Sequence, residues 1–360
     1  MSELLLDKAA GAVGCAHCQK LGAEQACGIC HQPVCGSCFD NVASCPDPRP
    51  RQFVIAGEDE LDVGLSGRYL ARRTAWDKPP ELYELGTGRP SAEALQVIQF
   101  PFEKQRISLL AYPDGDSCIV PGGAERAYGD AHHAHYEANR FSRCDDGRLA
   151  CFVRADQTVA ILDCPAAKVL RSIQEAGEVV QFTALDEKSD LIVLGVYDGA
   201  AFFRISDGER LGRLNTGGGD TLWIGVAAGL VGMMGIGDCV LRVGRPAGVG
   251  MNYLRLDEIA LADQPFHLGH GRHASLSPDG RLLAGAMPNG EVGVLNLQTL
   301  DLQVLSLAKE GESTGFFGRL FHMGPHCDFV QFVDGGRKLI TASGECVVVW
   351  TCDGSRIFAG

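Results

Sequence analysis

From Phe53 onward the chain alternates short apolar runs with clusters of glycine, aspartate, asparagine and serine. The clearest unit runs from Ala274 to Gln298 and reads ASLSPDGRLLAGAMPNGEVGVLNLQ. In Ser277-Pro278-Asp279-Gly280 the proline presets φ at the second turn position, and Asp-Gly accepts the backbone that follows. Asn289-Gly290 then sits between alternating residues, which predicts a hairpin. The unit is therefore expected to fold as strand, tight turn, strand, polar turn, strand.

Other segments repeat that punctuation. VGLSGRYLARR leads to LYELGTGR at Leu82 to Arg89, and SRCDDGRLACFVRADQTVAILD spans Ser142 to Asp163. Further copies run from Phe182 through Asp198-Gly199, from Leu222, and from Val330 to Ser355. Turns fall near Gly67, Gly147, Ser189, Gly229, Gly280 and Gly336, at intervals of about 40 residues or a multiple, the length of a four-stranded propeller blade. A weaker copy around Pro113-Asp114-Gly115 fills the double first gap. The expected fold class is all-β, a β-propeller of about seven four-stranded blades over residues 53–360, with six or eight also compatible. A two-sheet sandwich fits poorly, because about 300 residues of one repeating unit overfill it. Phe53-Val54-Ile55-Ala56 precedes the first copy and reads either as a strand closing the ring on the last blade or as a simple lead-in strand.

These copies resemble divergent WD repeats. Ser277-Pro278-Asp279-Gly280 and Gly269-His270 stand where that family has its Ser-Pro-Asp-Gly turn and Gly-His pair, and Trp350 stands at its tryptophan position. Thr351 replaces the family's aspartate, and most copies lack both signature dipeptides.

Ahead of the repeats the cysteines change the picture. Seven of fifteen lie between Cys15 and Cys45, as the pairs Cys15/Cys18, Cys27/Cys30 and Cys35/Cys38 followed by Cys45. Two residues between cysteines let one turn aim both sulfurs at one point, and Zn²⁺ completes a tetrahedron from two such pairs. So small a segment buries too little to fold alone, and metal binding would supply its folding free energy. The pairs resemble the cross-brace, treble-clef-like ligation of RING, FYVE and B-box fingers over about a tenth of the chain. That resemblance implies one zinc on Cys15, Cys18, Cys35 and Cys38. A second would use Cys27, Cys30 and Cys45, with the fourth ligand open among His31, His17, Asp47 and Asp40; His31 is preferred because imidazole is the commoner structural ligand. A RING would place a cysteine where Pro48 stands. One zinc with spare cysteines, or buried free thiols, are the alternatives. The expected organisation is a lead at 1–14, the finger at 15–48, a stiff linker at 49–52 beside Pro46, Pro48 and Pro50, and the propeller from 53.

Charge narrows the function classes. A net charge of −13, with no run of lysine and arginine, argues against phosphate gripping and hence against nucleic-acid partners. No stretch approaches the ~20 apolar residues of a membrane span, and Met1 to Gly14 is too interrupted by charge for a signal peptide. Abundant cysteine without a secretory signal points to reducing cytoplasm, where Cys118, Cys144, Cys151, Cys164, Cys239, Cys327, Cys346 and Cys352 serve as small buried apolar groups. Arginine outnumbers lysine 24 to 8, a hint of a GC-rich bacterial genome.

Two histidine groups, His132, His133 and His135, and His267, His270 and His273, lack carboxylate partners at ligand spacing. An insertion at 309–328 carries Phe316, Phe317, Leu320, Phe321 and Met323, either a partner-binding surface or a face folded back on the rim. No nucleophile elbow, Walker loop or Rossmann fingerprint occurs, and Thr216-Gly217-Gly218-Gly219 lacks the following lysine. The expected function is a non-enzymatic, zinc-stabilised scaffold or adaptor for other proteins in a multi-protein assembly. Family analogy supplies a rival, a ubiquitin-ligase-like adaptor, and propeller geometry supplies another, an enzyme with its site in the central channel.

Overall fold

The computed structural model describes residues 25–26, 33–34, 51–54, 60–73, 80–93, 95–99, 107–114, 117–121, 141–144, 147–154, 156–175, 177–215, 221–235, 240–245, 257–260, 274–287, 291–305, 327, 329–343, 346–352 and 357–358. Near the N-terminus, β1 (Gln25–Ala26) and β2 (Pro33–Val34) form an antiparallel hairpin with Ala26 opposite Pro33. Next comes β3 (Arg51–Val54).

The first blade is β4 (Glu60–Val63), β5 (Tyr69–Arg73), β6 (Glu81–Glu84) and β7 (Arg89–Pro90). A smaller sheet follows from β8 (Gln96–Gln99), β9 (Ile107–Ala111) and β10 (Ser117–Pro121). The second blade is β11 (Phe141–Arg143), β12 (Leu149–Val153), β13 (Val159–Asp163) and β14 (Lys168–Ile173). The third is β15 (Phe182–Asp186), β16 (Leu191–Val196), β17 (Gly199–Arg204) and β18 (Arg210–Asn215). The fourth is β19 (Thr221–Ala227), β20 (Leu230–Gly235), β21 (Val240–Gly244) and β22 (Asp257–Ala260). The fifth is β23 (Ala274–Leu276), β24 (Leu282–Ala286), β25 (Val292–Asn296) and β26 (Leu302–Leu305). The last contains β27 (Phe329–Val333), β28 (Lys338–Ser343), β29 (Cys346–Cys352) and β30 (Ile357–Phe358), and it takes β3 as a further strand.

The protein is thus an all-β propeller with six blades of four or more antiparallel strands among the described residues. This corrects the expected seven. The weak copy around Asp114 does make a hairpin, β9 with β10, and with β8 on the other edge of β9 it forms a sheet of three strands among the described residues. The smaller sheet still belongs to the ring: Tyr112 Oη donates to the Asp62 carbonyl at 3.2 Å, and Leu110 and Tyr112 pack with Tyr69 and Leu82.

Why these sequences make blades is clearest in β16. Every residue of Leu191–Val196 is buried. Alternate side chains face opposite ways, so Ile192, Leu194 and Val196 fill the seam with the second blade while Leu191 and Val193 fill the seam with the fourth. A strand covered on both faces reads as an unbroken apolar run. The remaining seams follow the same rule, Trp223 and Met234 meeting Leu283 and Leu295, and Leu282 and Val294 meeting Phe332 and Trp350. Val63, Leu70 and Leu85 pack with Val333, Ile340 and Val349, which closes the ring from last blade to first.

Each first-to-second-strand turn of the six blades contains left-handed backbone: at Gly67, Gly147 and Gly280 alone, at Asp190 in the third blade, at Ala228 with Gly229 in the fourth, and at Asp334, Gly335 and Gly336 in the last. That conformation is why glycine recurs at the repeat interval. Cys144 takes the place of a hydroxyl in this turn. Its sulfur accepts from Leu149 N at 3.0 Å, as Ser277 Oγ accepts from Leu282 N at 2.9 Å.

Candidate functional site

The closing seam is where the N-terminal region meets the ring. β3 lies along β29 with Val347 opposite Phe53 and Val349 opposite Arg51, so the ring-closing alternative holds for Phe53 and Val54. Further along the same edge, β30 sets Phe358 opposite Thr351 and Ile357 opposite Cys352. Gln303 of the neighbouring blade fastens β30. Its side-chain oxygen accepts from Ile357 N at 3.0 Å, and its amide nitrogen donates to the Ile357 carbonyl. Inside the blade, Trp350 Nε1 donates to Thr341 Oγ1 at 2.8 Å, which satisfies both polar groups of a buried pair.

One face of the disc is knitted by its turns. Ser66 Oγ donates to Asp114 Oδ2 at 2.6 Å, Arg148 Nε to Glu187 Oε2 at 3.0 Å, and Asp334 N to the Leu65 carbonyl at 2.7 Å. Asp186, nearly buried, accepts from Lys188 N at 3.1 Å, Ser189 Oγ at 2.6 Å and Gly229 N at 2.8 Å, joining the third blade to the fourth. These turns spend their polar groups on one another.

Elsewhere apolar side chains stay in solvent. Arg213 bridges Glu178 Oε1 at 2.7 Å and the Tyr197 carbonyl at 3.1 Å, which brings Val179 (54% exposed) and Tyr197 (55%) to one corner of the third blade. On the fifth blade Leu300 and Val304 are exposed at the outer edge. The sequence reading missed both places; the uncharged run Leu302-Gln303-Val304-Leu305 was a signal for the second.

Titratable groups with displaced equilibria serve structure. The hydrogen bond from Tyr69 to Glu93, with burial, raises the phenol above its ordinary 10.0. Burial pushes the Cys151 thiol up, partly offset by the Ser142 and Thr183 hydroxyls, so it stays protonated and inert. The Thr158 hydroxyl beside Asp156 lowers that exposed carboxyl in a hairpin turn.

Of the expected site residues, Cys15, Cys18, Cys27, Cys30, His31, Cys35, Cys38 and Cys45 lie outside the described residues, as do Phe316, Phe317, Leu320, Phe321 and Met323 and both histidine groups. In sequence, Cys27 directly follows β1 and Cys35 directly follows β2. Among the described residues no three His, Cys, Asp or Glu side chains converge to hold a metal, and no helix is long and apolar enough to cross a membrane. Cys144, Cys151, Cys164, Cys327 and Cys352 are buried, as expected of them, and Cys346 is half-buried. No known family description matches the chain, and no curated protein matches it.

Proposed function

We propose that this protein is a non-enzymatic interaction scaffold, a cytoplasmic adaptor in a multi-protein assembly, built on a divergent WD-type propeller with structural zinc in its N-terminal segment. The observation that carries the reading is the seam: β3, which begins six residues after Cys45, pairs along β29 and becomes an outer strand of the last blade. In this reading the cysteine cluster provides a second rigid surface tethered through β3 to the rim of the first, so that partners are held side by side. Support for the WD-type reading comes from Ser277 Oγ donating to Asp279 Oδ1 at 2.6 Å in the Ser-Pro-Asp-Gly turn and from the Trp350–Thr341 bond.

In the zinc part of the proposal, Cys15, Cys18, Cys35 and Cys38 hold one ion, and Cys27, Cys30 and Cys45 with His31 hold another. Closed thiolate sites contribute folding energy and leave no position for a reacting water. The test is native purification from the source cells with chemical cross-linking and mass determination. A stoichiometric complex with other proteins is expected; a chain that stays monomeric and cross-links to nothing overturns the scaffold reading.

A further inference from the structure

We propose that the outer edge of the fifth blade, β26, is a docking site for an extended strand of a partner protein, which joins the sheet through backbone hydrogen bonds. This deepens the scaffold reading and rests on it. β26 is the last strand of its sheet, so nothing among the described residues pairs with its far side. Its register sets Val294 opposite Gln303 and Val292 opposite Leu305, and Asn296 N donates to the Asp301 carbonyl at 2.9 Å in the same ladder. Antiparallel pairing alternates, so the N–H and C=O groups of Gln303 and Leu305 turn inward to β25 and those of Leu302 and Val304 turn outward.

Unpaired edges invite strand addition unless charge or proline blocks it. The outer strands of the first three blades carry such a block, in Arg89 with Pro90, Arg171 and Arg213. β26, Leu302-Gln303-Val304-Leu305, carries none, and Val304 is 44% exposed. It is also held firm, because the Gln303 side chain is committed to Ile357. A preformed, unblocked edge loses little freedom when a strand is added.

Charge selects the occupant. Exposed Asp301 directly precedes the strand and the chain carries −13, so a second copy brings like charge. A strand from a different protein, β-branched on alternate positions and bearing lysine or arginine to meet Asp301, fits the edge.

Hydrogen exchange on the full-length protein tests this, with a synthetic peptide of alternating valine and threonine flanked by lysines as the probe. The Leu302 and Val304 amides are expected to exchange freely in the protein alone and to slow by about tenfold with saturating peptide. Val304→Lys should abolish that protection without shifting the unfolding temperature. Three results overturn the proposal: the two amides already protected in the free chain, which means its own residues cover the edge; protection that rises with protein concentration alongside a dimeric mass, which means a second copy does; or peptide protection that survives Val304→Lys. If the cross-linked complex persists in Val304→Lys while the peptide fails, the edge proposal falls and the scaffold reading stands.

Discussion

Single side chains in this protein are constrained by how closely neighbouring strands approach. Gly199 has φ +151°, and a Cβ there would meet the Leu214 carbonyl at 1.9 Å. Gly199→Ala must push β17 from β18, and we expect a loss of about 4 kcal/mol, read from chemical denaturation. Tyr69 gives a pH-dependent case. An acid whose proton is held more tightly in the folded state contributes fully below its ordinary 10.0, and the contribution drains away as pH climbs through the raised value. Wild-type stability should therefore fall at alkaline pH, and Tyr69→Phe should flatten that fall while costing about 2 kcal/mol at neutral pH for the lost bond to Glu93. Parallel titration curves for the two proteins would disprove the assignment. Residue roles were legible where backbone chemistry fixes the residue type, as in the turn glycines. They were hidden where a different atom does the same job, as Cys144 does for the serine of Ser277.

At the level of elements, the sequence announced its blades through apolar runs long enough to be covered on both faces, β16 above all. It announced their number less well, because turn chemistry marks a hairpin but says nothing about what lies on the hairpin's other edge; β8 took that edge of β9. Ring closure was legible only as an alternative, since the apolar run at Phe53 suits pairing or leading in equally. The closing strand matters because of what it covers: β29 from Cys346 to Trp350 is uncharged and β-branched, an adhesive edge if left bare. Removing residues 1–59 should cost about 3 kcal/mol in lost ladder bonds and packing and make the remaining chain associate with rising concentration. Calorimetry and light scattering read the two effects separately. An unchanged midpoint with a monomeric mass would mean that β3 is dispensable to the ring.

For the whole molecule the open question is how the cysteine segment and the ring share their stability. The ring has its own set of apolar seams among the described residues, six blades and a smaller sheet, and its folding energy comes from apolar burial. If the proposed zinc sites form, the folding energy of the cysteine segment would come from metal-ion binding. In sequence, Pro46 to Pro50 and β3 lie between them. Two reservoirs joined by one strand should separate under a chelator. We expect the full-length protein to release about two zinc ions per chain, and residues 15–48 to become sensitive to protease on the same timescale. The unfolding midpoint of the propeller should move by no more than the contribution of β3. Cys35→Ser and Cys30→Ser should each lower the bound metal by one ion, since each lies in a different proposed site. Joint collapse of ring and segment on chelation would show that metal supports the propeller itself, and metal-free protein with an unchanged protease pattern would show that the thiolates do not bind zinc at all.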